Sequence, residues 1–288
     1  MLHPYRLNIW ACEDMSNKVI LIVMDGLGYD TAESCMGFLQ GLREQGKATL
    51  YKMHCELPSM SRPLYEAILT GVGPADSGIV NNQIVRNSNQ QSVFSLARGA
   101  GLSTAAAAYN WFSELYNRSP YVAVRDRFTS DKEQLIQNAI FYHQDTYPDS
   151  HLYLDAEWLR RTYDPDFLLI HPMNIDDAGH RAGLDSAHYR NTARYSDMHL
   201  SNHLMQWIDA GYQILVTADH GINLDKSHGG NLKEEREIPL YIIGEKFSHN
   251  KNAAPRQLQL CGTVCELLGI KDHNKPVATQ LLHDETPR

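Results

Sequence analysis

Short apolar segments alternate with more polar, amphipathic segments along most of the chain. Residues 19–24 form a continuous apolar run rich in β-branched side chains, which predicts a strand buried on both faces. Similar runs predict further strands at 48–53, 103–108, 167–170, 213–217 and 239–243. The intervening segments, some opened by Pro or closed by Gly, predict helices at 31–45, 63–69, 92–98, 131–142, 156–161, 187–208 and 258–268. This alternation favours an α/β fold with a mostly parallel central sheet and helices on both faces.

The same pattern suggests a simple domain organisation, without internal repeats or low-complexity segments. Residues 1–17 are polar and broken, so we interpret them as an N-terminal extension, with Met15 as an alternative start to Met1. Residues 18–288 then form a single domain, because one large α/β sheet can absorb this length. The least regular stretch predicts a small irregular insertion near 111–165.

Composition and charge narrow the classes of partner. The chain is 43% hydrophobic and 21% charged, as in an ordinary globular protein. Its formal net charge is -8, and it has no long Lys/Arg run, so we predict no nucleic-acid polymer as partner. No apolar run approaches the roughly 18 residues of a membrane span, so we predict no membrane partner. A small phosphate ester is compatible with this charge, because bound cations dominate the local field.

The cysteines and the N-terminal residues bear on location. Five cysteines, an odd number without a CxxC pair, are typical of free thiols in a reducing compartment. Residues 9–12 faintly resemble a lipoprotein cleavage site, but Trp10 is bulky and the preceding apolar stretch is missing. We therefore predict a cytoplasmic protein, with a periplasmic or lipoprotein location as the less favoured alternative.

Aspartate and histidine side chains follow three of the predicted strands. In open α/β sheets, binding sites form outside the carboxyl ends of the strands, so separate strands would deliver these side chains to one edge. Carboxylates and imidazoles gathered in this way are typical of metal centres in enzymes. The candidate ligands are Asp25, Asp176, His180, Asp219, His220 and His228.

Each candidate also has an ordinary structural explanation. Asp25 precedes Gly26 and could start a turn, and Asp176 could belong to a solvated acidic turn. His228 could lie at the surface, since 14 histidines make some proximity expected by chance. The pair Asp219-His220 is harder to explain in this way, because charge at the end of a buried strand costs desolvation unless a cation compensates it.

Ser61 adds a hydroxyl to this set. A serine ahead of a helix is usually an N-cap, and the helix at Pro63 allows that role. A serine hydroxyl held by a metal can instead become a nucleophile. Two ions roughly 3.5–4 Å apart can hold the attacking and leaving oxygens of an in-line displacement at phosphorus. Mixed carboxylate and imidazole ligands favour two divalent ions of zinc, with manganese or iron as alternatives.

Taken together, these strings resemble the alkaline phosphatase superfamily, and most closely its type I phosphodiesterase/nucleotide pyrophosphatase branch, over residues 18–269. Ser61 through Thr70-Gly71 resembles the nucleophile string of the branch, and residues 74–82 resemble its following Pro and Gly-Ile…Asn. The resemblance implies an alkaline-phosphatase-like fold and a donor role for Asn82 toward a phosphoryl oxygen. It also implies one metal held by Asp25, Ser61, Asp219 and His220, and a second held by Asp176, His180 and His228.

The chain departs from the branch beside the nucleophile. Pro63-Leu64 replaces its Pro-Asn, and Arg62 stands where the branch has an aromatic residue. Arg62 could touch a phosphate or point into solvent. Residues 109–112 could stack on a base or an aryl leaving group, or pack in the core. A sulfatase is excluded, because Cys55 does not lie in a CxPSR string.

The predicted function is that of a metal-dependent phosphoric ester hydrolase of the phosphodiesterase/nucleotide pyrophosphatase type. It would act on a small phosphate ester through a phosphoseryl intermediate on Ser61. A phosphomonoesterase or phosphonate hydrolase with the same centre is the alternative, followed by a phosphomutase. A non-catalytic metal-binding module is disfavoured by the full ligand set. The pattern does not select a physiological substrate or an oligomeric state.

Overall fold

One mixed sheet of eight strands organises the protein, as seen in a computed structural model that describes residues 17–283. The predicted N-terminal extension thus falls almost entirely outside the described residues. The strands are β1 (Lys18–Val23), β2 (Thr49–His54), β3 (Thr104–Tyr109), β4 (Phe128–Ser130), β5 (Asn138–Tyr142), β6 (Phe167–Ile170), β7 (Tyr212–Thr217) and β8 (Glu237–Ile243). Their order across the sheet is β2-β8-β7-β1-β6-β3-β5-β4.

Parallel pairing joins the five inner strands from β7 to β5. The antiparallel strands lie at the two ends, where β8 and β2 follow β7 and where β4 pairs with β5. β1 lies between β6 and β7, and residues 19–23 are almost completely buried. Successive side chains of a strand point to opposite faces, so both faces are covered. The predicted α/β class with a mostly parallel sheet is confirmed.

Helices connect the strands and cover the sheet. They are α1 (Tyr29–Cys35), α2 (Gly37–Glu44), α3 (Ser61–Thr70), α4 (Pro74–Ser77), α5 (Val93–Gly99), α6 (Asn110–Tyr116), α7 (Ala123–Asp126), α8 (Asp149–Tyr163), α9 (Asn174–Ala182), α10 (Ala187–Ser201), α11 (Leu204–Asp209), α12 (Lys233–Arg236) and α13 (Leu260–Leu267). Short 3₁₀ turns occupy Gln257–Gln259 and Thr279–Leu281. One group packs around α10, with α1, α2, α8 and α9, and a second group packs α13 against α3 and α5.

Three predicted helices differ from the structure. The helix predicted at 31–45 is two helices separated at Met36, whose backbone leaves the helical region. The helix predicted at 187–208 is interrupted after α10. The helix predicted at 131–142 is wrong. Asp131 accepts a hydrogen bond from the backbone of Glu133 and so makes a turn, and the apolar residues that follow form β5.

Residues 111–165 are more regular than the sequence suggests. They include β4 and β5, which complete one end of the sheet, and α8, a helix of 15 residues. Part of this segment therefore belongs to the main sheet. The structure does not support a small irregular insertion in that part. The sequence misses this because a short apolar run such as residues 139–142 does not reveal that it pairs with β3.

The cysteines and helices of the described part bear on two further predictions. Four cysteines, Cys35, Cys55, Cys261 and Cys265, are buried free thiols, and Cys12 lies outside the described residues. Between residues 17 and 283, none of the helices combines the length and apolar character needed to cross a bilayer. The cytoplasmic location stays a prediction.

Two helical glycines provide a matched test of packing. A Cβ at Gly262 of α13 would lie 2.2 Å from the carbonyl oxygen of Pro276, whereas a Cβ at Gly41 of α2 would meet nothing within 4 Å. We expect Gly262→Ala to destabilise the fold by about 1–3 kcal/mol, because the neighbouring backbone must shift. Gly41→Ala should stabilise it by about 0.5–1 kcal/mol through helix propensity. Urea unfolding of both variants measures the two effects, and equal shifts of the same sign would contradict this packing.

Candidate functional site

The candidate metal ligands meet at the carboxyl edge of the central strands. Asp25 follows β1, Asp219 follows β7, and Asp176 lies in the first turn of α9, which comes after β6. Because β1 pairs with both β6 and β7, the ends of these three strands are adjacent. All three aspartates are buried. The structure therefore brings the predicted carboxylates together.

Gly26 allows the turn that carries Asp25 to approach Asp176 closely. Its φ of +71° lies in the left-handed region, which favours glycine. A Cβ at this position would lie 2.8 Å from the Cα of Asp176. Its backbone N–H donates to Asp219 Oδ1 at 3.2 Å. The turn after β1 thus depends on glycine and joins all three acidic segments.

Ser61 faces this cluster from the start of α3. Its Oγ lies 3.1 Å from Nε2 of His220, and both residues are buried. The structure does not support an N-cap role for Ser61. The helix begins at Ser61 itself, and the capping position belongs to Met60, which makes no side-chain cap. The hydroxyl is therefore left to face the acidic cluster.

Three histidines present the same nitrogen to the cluster. The Nδ1 atoms of His180, His220 and His228 lie 2.9, 2.9 and 2.7 Å from backbone carbonyl oxygens of residues 226, 221 and 59. A carbonyl oxygen only accepts, so each Nδ1 carries a proton, and whenever the ring is neutral its Nε2 keeps a free lone pair. This arrangement of a backbone acceptor behind the imidazole is usual for histidines that bind metals.

The Nε2 atoms lie close to carboxylate oxygens. Nε2 of His220 is 3.2 Å from Asp219 Oδ2 and 3.5 Å from Asp25 Oδ1. Nε2 of His180 is 3.3 Å from Asp176 Oδ2, and Nε2 of His228 is 3.8 Å from Asp176 Oδ1. When these rings are neutral, lone pairs face lone pairs, an arrangement that repels unless a proton or a metal ion lies between them.

Unpaired oxygens complete this picture. Within residues 17–283, one buried oxygen of each aspartate has no hydrogen-bond partner: Asp25 Oδ1, Asp176 Oδ1 and Asp219 Oδ2. A buried polar atom without a partner is costly, and a buried charge more so. The donor set is carboxylate and imidazole, which suits a divalent transition metal. The residues present therefore fit the metals that the sequence predicts.

Two groups of ligand atoms are close enough to hold an ion. Asp176, His180 and His228 form one, and Asp25, Asp176 and His220 form the other, with the atoms of each group within 4.8 Å of one another. The first matches the predicted second metal. In the other group Asp176 joins two predicted ligands of the first metal, while Asp219 and Ser61 contact it through His220. Asp176 thus belongs to both groups.

Burial and mutual repulsion shift the pKa values of these groups. Burial, then the charges of Asp25 and Asp176, raise the pKa of Asp219 well above its ordinary value. Burial would also raise the pKa of Asp25, but a hydrogen bond from His171 and the charge of His220 lower it to about 2. Burial lowers the pKa of His228 to about 4, so its ring is neutral near pH 7. The hydrogen bond to Asp176 raises the pKa of His180 to about 9, so this ring holds a proton near pH 7 that a metal ion would displace on binding.

Asp25 has two supporting residues that the sequence analysis missed. Nε2 of His171 donates to Asp25 Oδ2 at 3.1 Å, and the hydroxyl of Tyr65 donates to the same oxygen. Behind His171, the hydroxyl of Tyr142 donates to its carbonyl oxygen at 2.7 Å. Oδ1 of Asp25 is left to face the cluster. His171 directly follows β6, the same signal that identified the ligands after β1 and β7; Tyr65 carries no comparable signal.

Asn82 lies close to the segment that carries Ser61. Its Oδ1 accepts from the backbone N–H of Arg62 at 3.1 Å, so its orientation is defined. Arg62 itself is buried, and its guanidinium donates to Glu114 at 2.7 Å, so the prediction that it points into solvent is wrong. The phosphate contact predicted as the alternative is not favoured either, since the guanidinium is turned toward protein groups.

Aromatic residues form the wall next to Arg62. Trp111 is partly buried, and the guanidinium carbon of Arg62 lies 4.4 Å from its ring centroid. Phe112 is buried and stacks on Tyr65 with centroids 4.4 Å apart. Tyr109 is partly buried and makes an edge contact with Trp111 at 5.2 Å. Core packing thus describes Phe112, whereas Tyr109 and Trp111 keep some exposed surface.

Solved structures share this fold. Murine ectonucleotide pyrophosphatase/phosphodiesterase 5 superposes with a TM-score of 0.71 at 13% identity, over 92% of this chain and 100% of the other. Among curated proteins, GPI ethanolamine phosphate transferase 2 of Kluyveromyces lactis is 24% identical over 86% of this chain and 31% of its own length. The human catalytic subunit of the same name is 23% identical over 88% of this chain and 26% of its own length. The chain spans less than a third of the length of these two curated transferases.

A match to a sequence family assigns the chain to its family. The model of the family described as type I phosphodiesterase / nucleotide pyrophosphatase matches residues 19–225, most of the chain and nearly all of the candidate site. The resemblance derived from Ser61, Asn82 and the aspartate and histidine strings is thereby confirmed at the level of the family. The chain belongs to the type I phosphodiesterase/nucleotide pyrophosphatase family.

Proposed function

We propose that this protein cleaves small phosphodiesters by transferring a phosphoryl group to Ser61 at a centre of two divalent metals. One observation carries the proposal. The Ser61 hydroxyl lies 3.1 Å from Nε2 of His220, beside three buried carboxylates that each keep an unpaired oxygen. A hydroxyl in that position is within reach of the ligand atoms that would activate it.

The ligand sets are those that the family resemblance implies, and the grouping of Asp176, His180 and His228 supports the second of them. Asp25, Ser61, Asp219 and His220 would hold one ion, and Asp176, His180 and His228 the other. Zinc suits these donors best, with manganese or iron as alternatives. When bound, such ions supply Lewis acidity toward phosphoryl oxygens and stabilise a deprotonated hydroxyl.

The residues of the chain provide the remaining chemistry. Oγ of Ser61 loses its proton to solvent and forms a bond to phosphorus, while the bond from phosphorus to the leaving oxygen breaks and that oxygen takes up a proton from solvent to leave as the alcohol. Ser61 is the first residue of α3, so the positive end of the helix dipole favours the negative charge that develops there. Asn82, oriented through its Oδ1, would donate from Nδ2 to a non-bridging oxygen. In the second step an acceptor oxygen attacks phosphorus, and Oγ of Ser61 is released.

The acceptor separates two candidate functions. With water as acceptor the reaction is hydrolysis, which the sequence analysis favours. With an alcohol as acceptor the same centre is a transferase, and this alternative is supported by the curated relatives named GPI ethanolamine phosphate transferases. Both use one phosphoseryl intermediate, so the site residues are shared. Phosphomonoester or phosphonate cleavage is the remaining alternative.

Replacing the nucleophile should abolish turnover. We expect Ser61→Ala to lower kcat on a bis-aryl phosphodiester by roughly a thousandfold or more, because no other hydroxyl occupies its place. Bound metal, measured by elemental analysis, should remain. Ser34→Ala, an exposed hydroxyl that only contacts its own helix, is the matched control. Undiminished turnover of Ser61→Ala would rule out this nucleophile.

The choice of acceptor can be measured from the products. We expect the protein to release a monoester from a bis-aryl phosphodiester in water, and to act on an aryl monoester more slowly. Adding a polyol such as glycerol at increasing concentration tests the transferase alternative, since a true alcohol acceptor diverts product from the hydrolysed monoester to a new diester. Product ratios from phosphorus NMR separate the two. No turnover of either ester, with metals bound, would contradict both.

Metal binding should stabilise the fold. We expect Zn²⁺ to raise the unfolding midpoint of metal-free protein, by about 2.7 kcal/mol of stability at a hundred times the Kd, because it relieves the repulsion among buried oxygens. Asp176→Asn should lose much of this gain. Asp177→Asn is a matched control, since Asp177 is the next residue of α9 but pairs with Arg181. An unfolding midpoint that Zn²⁺, Mn²⁺ and Fe²⁺ all leave unchanged would refute the metal centre.

A further inference from the structure

Arg62 follows the nucleophile in the chain and contacts two other segments. Its Nε donates to the backbone oxygen of Asn82 at 3.0 Å, and its Nη2 donates to Oε2 of Glu114 at 2.7 Å. Its guanidinium also lies over the ring of Trp111. One planar group therefore links α3, the segment that carries Asn82, and α6.

We propose that Arg62 is a positioning residue that holds Asn82 in place for the phosphoryl group. This inference rests on the proposed function, because it assigns Asn82 the donor role there. The side chain fixes the backbone of Asn82, and the backbone N–H of Arg62 occupies Oδ1. Both contacts together leave only the Nδ2 end of the amide to face the substrate.

Direct contact between Arg62 and substrate is disfavoured by burial. Only 1% of Arg62 is exposed, and two of its three nitrogens are engaged by protein acceptors. The third, Nη1, is buried and has no hydrogen-bond partner within residues 17–283. The guanidinium therefore acts through the residues it contacts.

Glu114 accepts the hydrogen bond from Arg62 and is itself held in place. It is buried, and its second oxygen, Oε1, accepts from the backbone N–H of Tyr121 at 3.0 Å. The carboxylate is thus fixed from a second direction. A buried ion pair is weak evidence for a gain in stability, because desolvation offsets the attraction. The pair is better explained by geometry, since a planar arginine fork defines direction in a way that lysine does not.

A double-mutant cycle between Arg62 and Asn82 tests this role. Asn82→Ala alone should lower kcat on a bis-aryl phosphodiester by roughly a hundredfold. Arg62→Lys keeps the charge but loses the fork, and should lower kcat by roughly tenfold with KM changed less. If Arg62 acts through Asn82, the double variant should be no slower than Asn82→Ala. Independent effects would instead multiply to roughly a thousandfold.

The control variant is Arg160→Lys. Arg160 makes a two-nitrogen contact with Glu157, which also accepts from a tryptophan N–H, so it resembles Arg62 but lies on α8 away from the site. It should leave kcat unchanged. Unfolding midpoints report how much each change costs the fold, and the side-chain amide signal of Asn82 in NMR should shift in Arg62→Lys but not in Arg160→Lys.

The outcomes separate the inference from the function on which it rests. If Asn82→Ala alone leaves kcat unchanged, the donor role of Asn82 is wrong and the inference falls with it. If Asn82→Ala is slow but Arg62→Lys multiplies the loss, the donor role stands and the positioning role is overturned. An unchanged kcat in Arg62→Lys would overturn it equally.

Discussion

Repulsion among three buried aspartates is the constraint on which the site depends. Asp25, Asp176 and Asp219 leave one oxygen each without a partner, in a place where water does not reach. Uncompensated charge in such a position costs far more than any surface contact returns. The sheet tolerates this cost because apolar strands on either side of β1 define the positions of all three segments. The carboxylates at this edge of the sheet therefore favour the binding of cations.

The sequence predicted most of the sheet and most of the cluster for the same reason. Buried parallel strands are continuous apolar runs, so their carboxyl ends can be located, and polar residues directly after them are conspicuous. Asp25 and Asp219 follow this rule, and His171 follows it too, although it was missed. The strand β5 could not be recognised, because a short apolar run is compatible with either helix or strand until its partner is known.

Other features depend on packing between distant segments. The position of the Ser61 hydroxyl against His220 spans 159 residues, and no local pattern encodes it. The burial of Arg62 is equally non-local, because its acceptors come from the Asn82 segment and from α6. From the sequence, a charged residue beside a nucleophile could face the substrate. Only the structure reveals that Arg62 instead contacts Glu114 and Trp111. The fold is shared with proteins at 13% identity, so function here lies in such particular contacts.

Asp176 belongs to both groups of ligand atoms, so its charge would contribute to the binding of both of the proposed ions. A cation held on the side of His180 neutralises a charge that the side of His220 also experiences. By thermodynamic linkage, the occupancy of either position then changes the affinity of the other by the same factor. His180 is exposed whereas His220 is buried, so the outer ion can exchange with solvent more readily. If the centre binds two ions as proposed, the outer position would therefore be the one that gains and loses its ion first.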